Sequence, residues 1–316
     1  MIPEFDQDIF YGRLVNGALR PAMDYLRQFP QQMERYQKYV SLFQEERDPP
    51  CDAAPELCEI LRLYQKYYRE AFYLELPAGD AAERLRRRLA DLLQAEAAAP
   101  LDVLEETAAE VFRRRSFHVL TGRTGGYYGP YIWKTQELAS YTVELPEGTR
   151  EYAVMLLDGF LSKGWLDYIS LGAVSTGGWC NGDGLIHCVR SSYDLDSENF
   201  QVSLLKHEAQ HGADLERYPD MFPQDLEYRA KLVELIYSSR RPLLERFLGE
   251  ADAAGSDSGH GLASARIARD FQNCMHSSPG QLAALPIWEV QAAARALFAE
   301  SSGEMEKKYR SFPIPT

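Results

Sequence analysis

The chain has 316 residues, a formal net charge of −13 and a pI near 5.0. It is long enough for one large domain or two ordinary ones, and its acidic balance argues against nucleic acid or an anionic membrane surface as a partner. No apolar run approaches the roughly 18 residues of a membrane span, and the opening Met1-Ile-Pro-Glu-Phe-Asp-Gln-Asp lacks the regions of a signal peptide, so a cytoplasmic protein is expected.

Five cysteines, Cys51, Cys58, Cys180, Cys188 and Cys274, are an odd number in a long chain, for which reduced thiols are expected. Cys51 and Cys58 flank a proline-containing segment and are close enough in sequence to pair, although no pattern demands it.

Five helices are predicted in the first third: Leu14 to Phe29, Gln31 to Glu45, Ala54 to Leu74, Ala81 to Ala97 and Leu101 to Arg114. Breaks fall at Pro30, Asp48-Pro49-Pro50, Pro77-Ala78-Gly79 and Pro100, where helix is interrupted by missing amide hydrogens or permissive backbone. The arginine runs 84–88 and 113–115 have acidic neighbours and read as solvated helix faces.

From Ser116 aromatic and β-branched residues take over, predicting strands at Phe117 to Thr121, Tyr127 to Trp133, Tyr141 to Leu145 and Tyr152 to Leu157. Arg123 to Gly129 is glycine-rich but lacks the Gly-Lys-Ser/Thr of a phosphate loop, and reads as a hairpin turn. A hairpin is also predicted from Ser175 to Arg190 about Asn181-Gly182-Asp183-Gly184, pairing Cys180 with Leu185 and Cys188 with Gly177, and leaving His187 as a hairpin histidine. The chain is therefore α+β, with a helical N-terminal region at 1–115 and a mixed region at 116–316.

Directly after the hairpin comes Lys206-His207-Glu208-Ala209-Gln210-His211-Gly212. Phe200, Leu204, His207, His211 and Leu215 recur at helical spacing, so the two histidines lie one turn apart on an inward stripe and both imidazoles can reach one metal ion. Burying two imidazoles and a carboxylate with nothing to compensate them would carry a desolvation cost. Asp196 or Ser197 can cap this helix, and Tyr218-Pro219 ends it.

Hydrolytic zinc usually takes three protein ligands and leaves a fourth position open. A third histidine six residues on would complete one known pattern, but that position is Arg217. Glu227 is the candidate instead, on a following helix that Asp225 can cap, with Glu234 on the same face in reserve. A loop is expected from Ala251 to Gly261, then helices from Leu262 to Met275 and Pro286 to Ala299, and a charged tail.

Across roughly Ser175 to His260 the chain resembles the gluzincin zinc metallopeptidases, the thermolysin-like group, through His207-Glu208-x-x-His211 and Glu227 in Leu226-Glu-Tyr-Arg-Ala-Lys231. The resemblance implies that 116–316 is a zincin-like catalytic domain with a small twisted sheet and an active-site helix. It implies Zn2+ as cofactor, a peptide or protein substrate, and Glu208 as the base that takes a proton from water and returns it to the leaving amine. It also suggests His260 as hydrogen-bond donor to the oxyanion, and Gly177, Gly178 and Trp179 as the substrate-binding part of an edge strand whose glycines let a peptide backbone approach.

Where thermolysin-like members often carry an aspartate that supports a ligand histidine, this chain has Lys231, which leaves Glu234 or Asp214 for that role. A zinc-binding module that senses peptides or binds a partner without turnover is the alternative function. A ferritin-like di-iron site would need a second Glu-x-x-His on another helix, and the chain has none.

Overall fold

The computed structural model describes residues 4–180, 184–240, 242–253 and 259–309. The chain mixes helix with small sheets and divides into two compact units, one of residues 1–135 and 158–176, the other of 136–157 and 177–316. The expected boundary at 115/116 is not where these units part. Ile132, Trp165 and Ile169 share an apolar core with the N-terminal helices, so the strands that follow position 115 pack with those helices.

In the first unit, α1 (Gln7–Val15) and α2 (Leu19–Leu26) replace the single helix expected over 14–29. Gly17, at φ 71°, turns the chain between them, and a side chain there would meet the Phe72 ring at 3.0 Å. Next come α3 (Met33–Tyr39), α4 (Pro55–Tyr68), α5 (Ala78–Leu93) and α6 (Leu101–Arg113), with π turns continuing α3 over Val40–Gln44 and α4 over Arg69–Tyr73. Arg86 and Arg87 pair with Glu83 on their own helix, and Arg84 and Arg88 with Glu70 on the π turn after α4, so these arginines meet acidic partners.

Cys51 and Cys58 form a disulfide, contrary to the reduced thiols expected, because the entry into α4 brings their Cα atoms to 5.9 Å. Cys180, Cys188 and Cys274 are thiols outside the disulfide.

Three short strands, β1 (His118–Leu120), β2 (Arg123–Thr124) and β3 (Tyr127–Tyr128), precede β4 (Tyr131–Trp133). The β2–β3 turn is the expected hairpin, with Gly125 and Gly126 both at positive φ. The long strands β5 (Thr135–Leu145) and β6 (Gly148–Asp158) belong almost wholly to the second unit, after which β7 (Ser162–Lys163) and α7 (Gly164–Ile169) return to the first. β1, β4 and β7 make one antiparallel sheet.

The second unit is built on a four-stranded sheet of order β5-β6-β9-β8, where β8 is Gly178–Cys180 and β9 is Ile186–Val189. β5 and β6 are joined by two residues, a connection only antiparallel strands allow, whereas β6 and β9 run parallel. Val154, Leu156, Ile186 and Cys188 turn one sheet face into the core. The β8–β9 register pairs Gly178 with Cys188 and Cys180 with Ile186, one residue from the pairing expected, so the connection is one residue longer. Residues 181–183 of the expected Asn-Gly turn lie outside the described residues.

Against this face pack α8 (Glu198–Phe200), α9 (His207–Arg217) and α10 (Pro223–Tyr237), followed by α11 (Pro242–Ala253), α12 (Gly259–Met275), α13 (Pro279–Leu282) and α14 (Ile287–Tyr309). Ser197 caps α8, one of the two caps expected. Asp225 does not cap α10, which starts at Pro223 with Phe222 before it; its carboxylate instead meets Arg266, Lys308 and Tyr309. α11 extends to Ala253 and α12 starts at Gly259, so helix occupies both ends of the expected 251–261 loop, and 254–258 lie outside the described residues. α14 carries the expected charged tail on to Tyr309, where Met305 and Tyr309 pack with Tyr218 and Met221. No helix among the described residues is long and apolar enough to cross a membrane.

Candidate metal centre

The site lies in the second unit, where α9 and α10 face each other. A π stretch, Gln201–Lys206, links α8 to α9 and ends at the first histidine, so His207 opens a regular helical turn and His211 follows one turn later. Their rings are nearly perpendicular, and the two Nε2 atoms lie 3.0 Å apart. From α10, Glu227 brings Oε2 to 3.5 Å from His207 Nε2 and Oε1 to 3.6 Å from His211 Nε2.

Among the described residues this is the group of side chains whose ligand atoms converge closely enough to hold a metal ion. The chemistry of the donors fits such an ion. Bond lengths of about 2.0–2.2 Å at tetrahedral angles set ligand atoms about 3.3–3.5 Å apart, within a few tenths of an ångström of the edges seen here.

Glu234 was held in reserve as a ligand, but it stands on the opposite side of His207. Its Oε1 lies 2.8 Å from Nδ1, and its Oε2 lies 3.5 Å from Arg246 Nη2. An ionised carboxylate only accepts, so Nδ1 carries the proton and the other ring nitrogen faces Glu227 and His211. Asp214 has no such role: its two oxygens pair with Arg229 at 2.9 Å in a buried bridge. Lys231 turns to Glu250 at 2.6 Å, where Ser264 also donates.

The electrostatics favour a positive charge at the centre. Burial alone would lower the His207 pKa, but hydrogen bonds to Glu227 and Glu234 outweigh it and raise it to about 10. Burial likewise opposes the Glu227 anion, yet hydrogen bonds from His207, His211 and His260 hold its pKa far below the ordinary carboxylate range. A proton on His207 or a metal ion can supply that charge.

Glu208 is half-buried and makes no hydrogen bond or ion pair with a described residue. His260, from the first turn of α12, sets its Nδ1 2.9 Å from Glu227 Oε2.

The expected edge strand is present, since β8 is the outermost strand of its sheet, but its glycines serve the interior. A side-chain carbon on Gly177 would fall 2.0 Å from the Tyr193 hydroxyl; on Gly178 it would fall 2.4 Å from the His187 carbonyl oxygen and 2.7 Å from Leu204 Cδ1. The space beside them is filled by the protein itself. Trp179 points to the other sheet face and stacks on His187, with ring centroids 4.9 Å apart, so it is not brought to the metal-type cluster.

Gly178→Ala is therefore expected to destabilise the fold by about 1–3 kcal/mol, the usual cost of overpacking. Chemical denaturation of the peptide-free protein measures this. An unchanged midpoint would mean that β8 relaxes freely and that the glycine serves something outside the core.

Tyr193 is the residue sequence reasoning missed. Its ring lies over Gly177, and burial, then the charges of Cys188, Glu208 and Glu234, push its pKa up to about 12, so it stays a neutral phenol beside two site carboxylates. Its link to Gly177 spans a whole hairpin and left no local pattern to read. No family model, curated protein or solved structure matches this chain.

Proposed function

We propose that the chain is a zinc-dependent metallopeptidase that hydrolyses peptide bonds, with His207, His211 and Glu227 as the metal ligands and Glu208 as general base. The observation that carries this reading is the convergence of two Nε2 atoms 3.0 Å apart with the Glu227 carboxylate at 3.5 and 3.6 Å, beside Glu208, which makes no hydrogen bond or ion pair with a described residue. The edge strand β8, the histidine helix α9 and the glutamate helix α10 support reading the second unit as a zincin-like domain.

Bound zinc would supply a Lewis acid and make water acidic enough to ionise near neutral pH. The chain's own groups do the rest. Glu234 holds the Nδ1 proton of His207 and so keeps its Nε2 lone pair inward. Glu208, with no hydrogen bond or ion pair to a described residue, accepts a proton from the attacking water and returns it to the amine as the peptide bond breaks. β8 is the outermost strand of its sheet, and a peptide or protein is the substrate this reading implies.

The test is digestion of a diverse peptide library by the purified chain, with chelator and with zinc restored. Cleavage that is lost with chelator and recovered with zinc is the expected result. Stoichiometric zinc without cleavage would favour a peptide-sensing or partner-binding module, and absence of both would end the metal reading.

A further inference from the structure

We propose that His260 is a positioning residue for the ligand glutamate: it holds Oε2 of Glu227, so that Oε1 is the oxygen presented to a metal ion. The inference rests on the metal-site reading above and departs from the expectation that His260 donates to an oxyanion.

His260 Nδ1 lies 2.9 Å from Glu227 Oε2, closer than either Glu227 oxygen comes to His207 or His211. At this ion-pair distance a hydrogen or a positive charge on the ring attracts the carboxylate. The His260 side chain is 67% exposed.

The backbone behind this contact is fixed on the same helix that bears Glu227. A side-chain carbon on Gly259 would lie 3.3 Å from Pro223 Cβ and 3.4 Å from the Pro223 carbonyl carbon, so the first turn of α12 sits directly on the start of α10. Further along, the Tyr228 hydroxyl donates to Asp270 at 2.9 Å, and Arg266 meets Asp225 at 3.2 Å. A contact anchored in this way restricts rotation of the Glu227 carboxylate. With Oε2 turned to His260, the carboxylate offers one oxygen, and the position a second would take stays open to water or substrate.

The test uses the full chain with zinc, or with cobalt(II) as a coloured substitute. Zinc affinity is measured by competition with a chromophoric chelator, and coordination by the visible spectrum of the cobalt form. His260→Ala is expected to bind zinc about 10- to 100-fold more weakly and to shift the cobalt spectrum. His260→Asn, whose amide nitrogen falls near the place of Nδ1, should recover most of both. His260→Gln, whose amide reaches toward the place of Nε2, should not.

Unchanged affinity and spectrum in His260→Ala would overturn the proposal, including the case in which kcat alone falls, which would restore the oxyanion role. Rescue by glutamine rather than asparagine would also overturn it. Failure of the wild type to bind either metal would sink the site reading itself, an outcome distinct from the others.

Discussion

Glu208→Gln is expected to keep its zinc and its fold while cleaving peptides about a hundred- to ten-thousand-fold more slowly than the wild type, the usual cost of losing a general base. The substitution is nearly isosteric, and Glu208 has no hydrogen bond or ion pair with a described residue that an amide would break. Its charge acts on both His207 and Tyr193, which places it near the cluster. Steady-state kcat/KM on a peptide identified from the library, zinc content and a melting curve together check the prediction. Equal rates in mutant and wild type would remove Glu208 from the chemistry. If both proteins hold zinc and bind peptide and neither cleaves, the chain is a binding module.

The parts of this site that were legible in sequence are the local ones. Two histidines four apart need only a helix to converge, and Glu227 and Glu234, seven apart, need only a second helix to share a face. Which of the two glutamates meets Nε2 and which meets Nδ1 depends on the orientation of the His207 ring between α9 and α10, and no spacing within one segment encodes that. The π stretch before His207 was invisible for a related reason: an extra residue per turn changes the phase of a stripe without changing its composition.

Other local features have neighbours that no local pattern shows. Gly177 and Gly178 looked like room for a substrate, whereas Tyr193, Leu204 and the His187 carbonyl fill that space from distant parts of the chain. The change of texture at Ser116 marked where strands begin, and that was right. It did not mark where one core ends, because strands β1, β4 and β7 join the sheet packed with the helices before them. Cys51 and Cys58 showed the converse, since their bond depends on how the chain enters α4 rather than on a cysteine pattern.

Removing Glu227 should cost more zinc affinity than removing Glu234, and the order of the two is the expected result of a competition titration. Both oxygens of Glu227 lie beside ligand nitrogens, at 3.5 and 3.6 Å, whereas Glu234 touches only the outer nitrogen of His207, at 2.8 Å. Loss of an outer partner costs about 10- to 100-fold in metal affinity, so Glu234→Ala should fall in that range and Glu227→Ala beyond it. The pH dependence gives a second measure. The metal-free His207 has a pKa raised to about 10, so zinc must displace its proton, and affinity should rise about tenfold per pH unit near neutrality and level off at about pH 10. The stability of the metal-free protein should run the other way. Because the folded pKa lies above the ordinary value of 6.5, the stabilisation His207 contributes is complete below 6.5 and is lost as pH rises through about 10. Zinc binding that strengthens while metal-free stability declines over the same interval would assign the displaced proton to His207. Affinity independent of pH would contradict it, and a larger loss in Glu234→Ala than in Glu227→Ala would exchange the roles of the two glutamates.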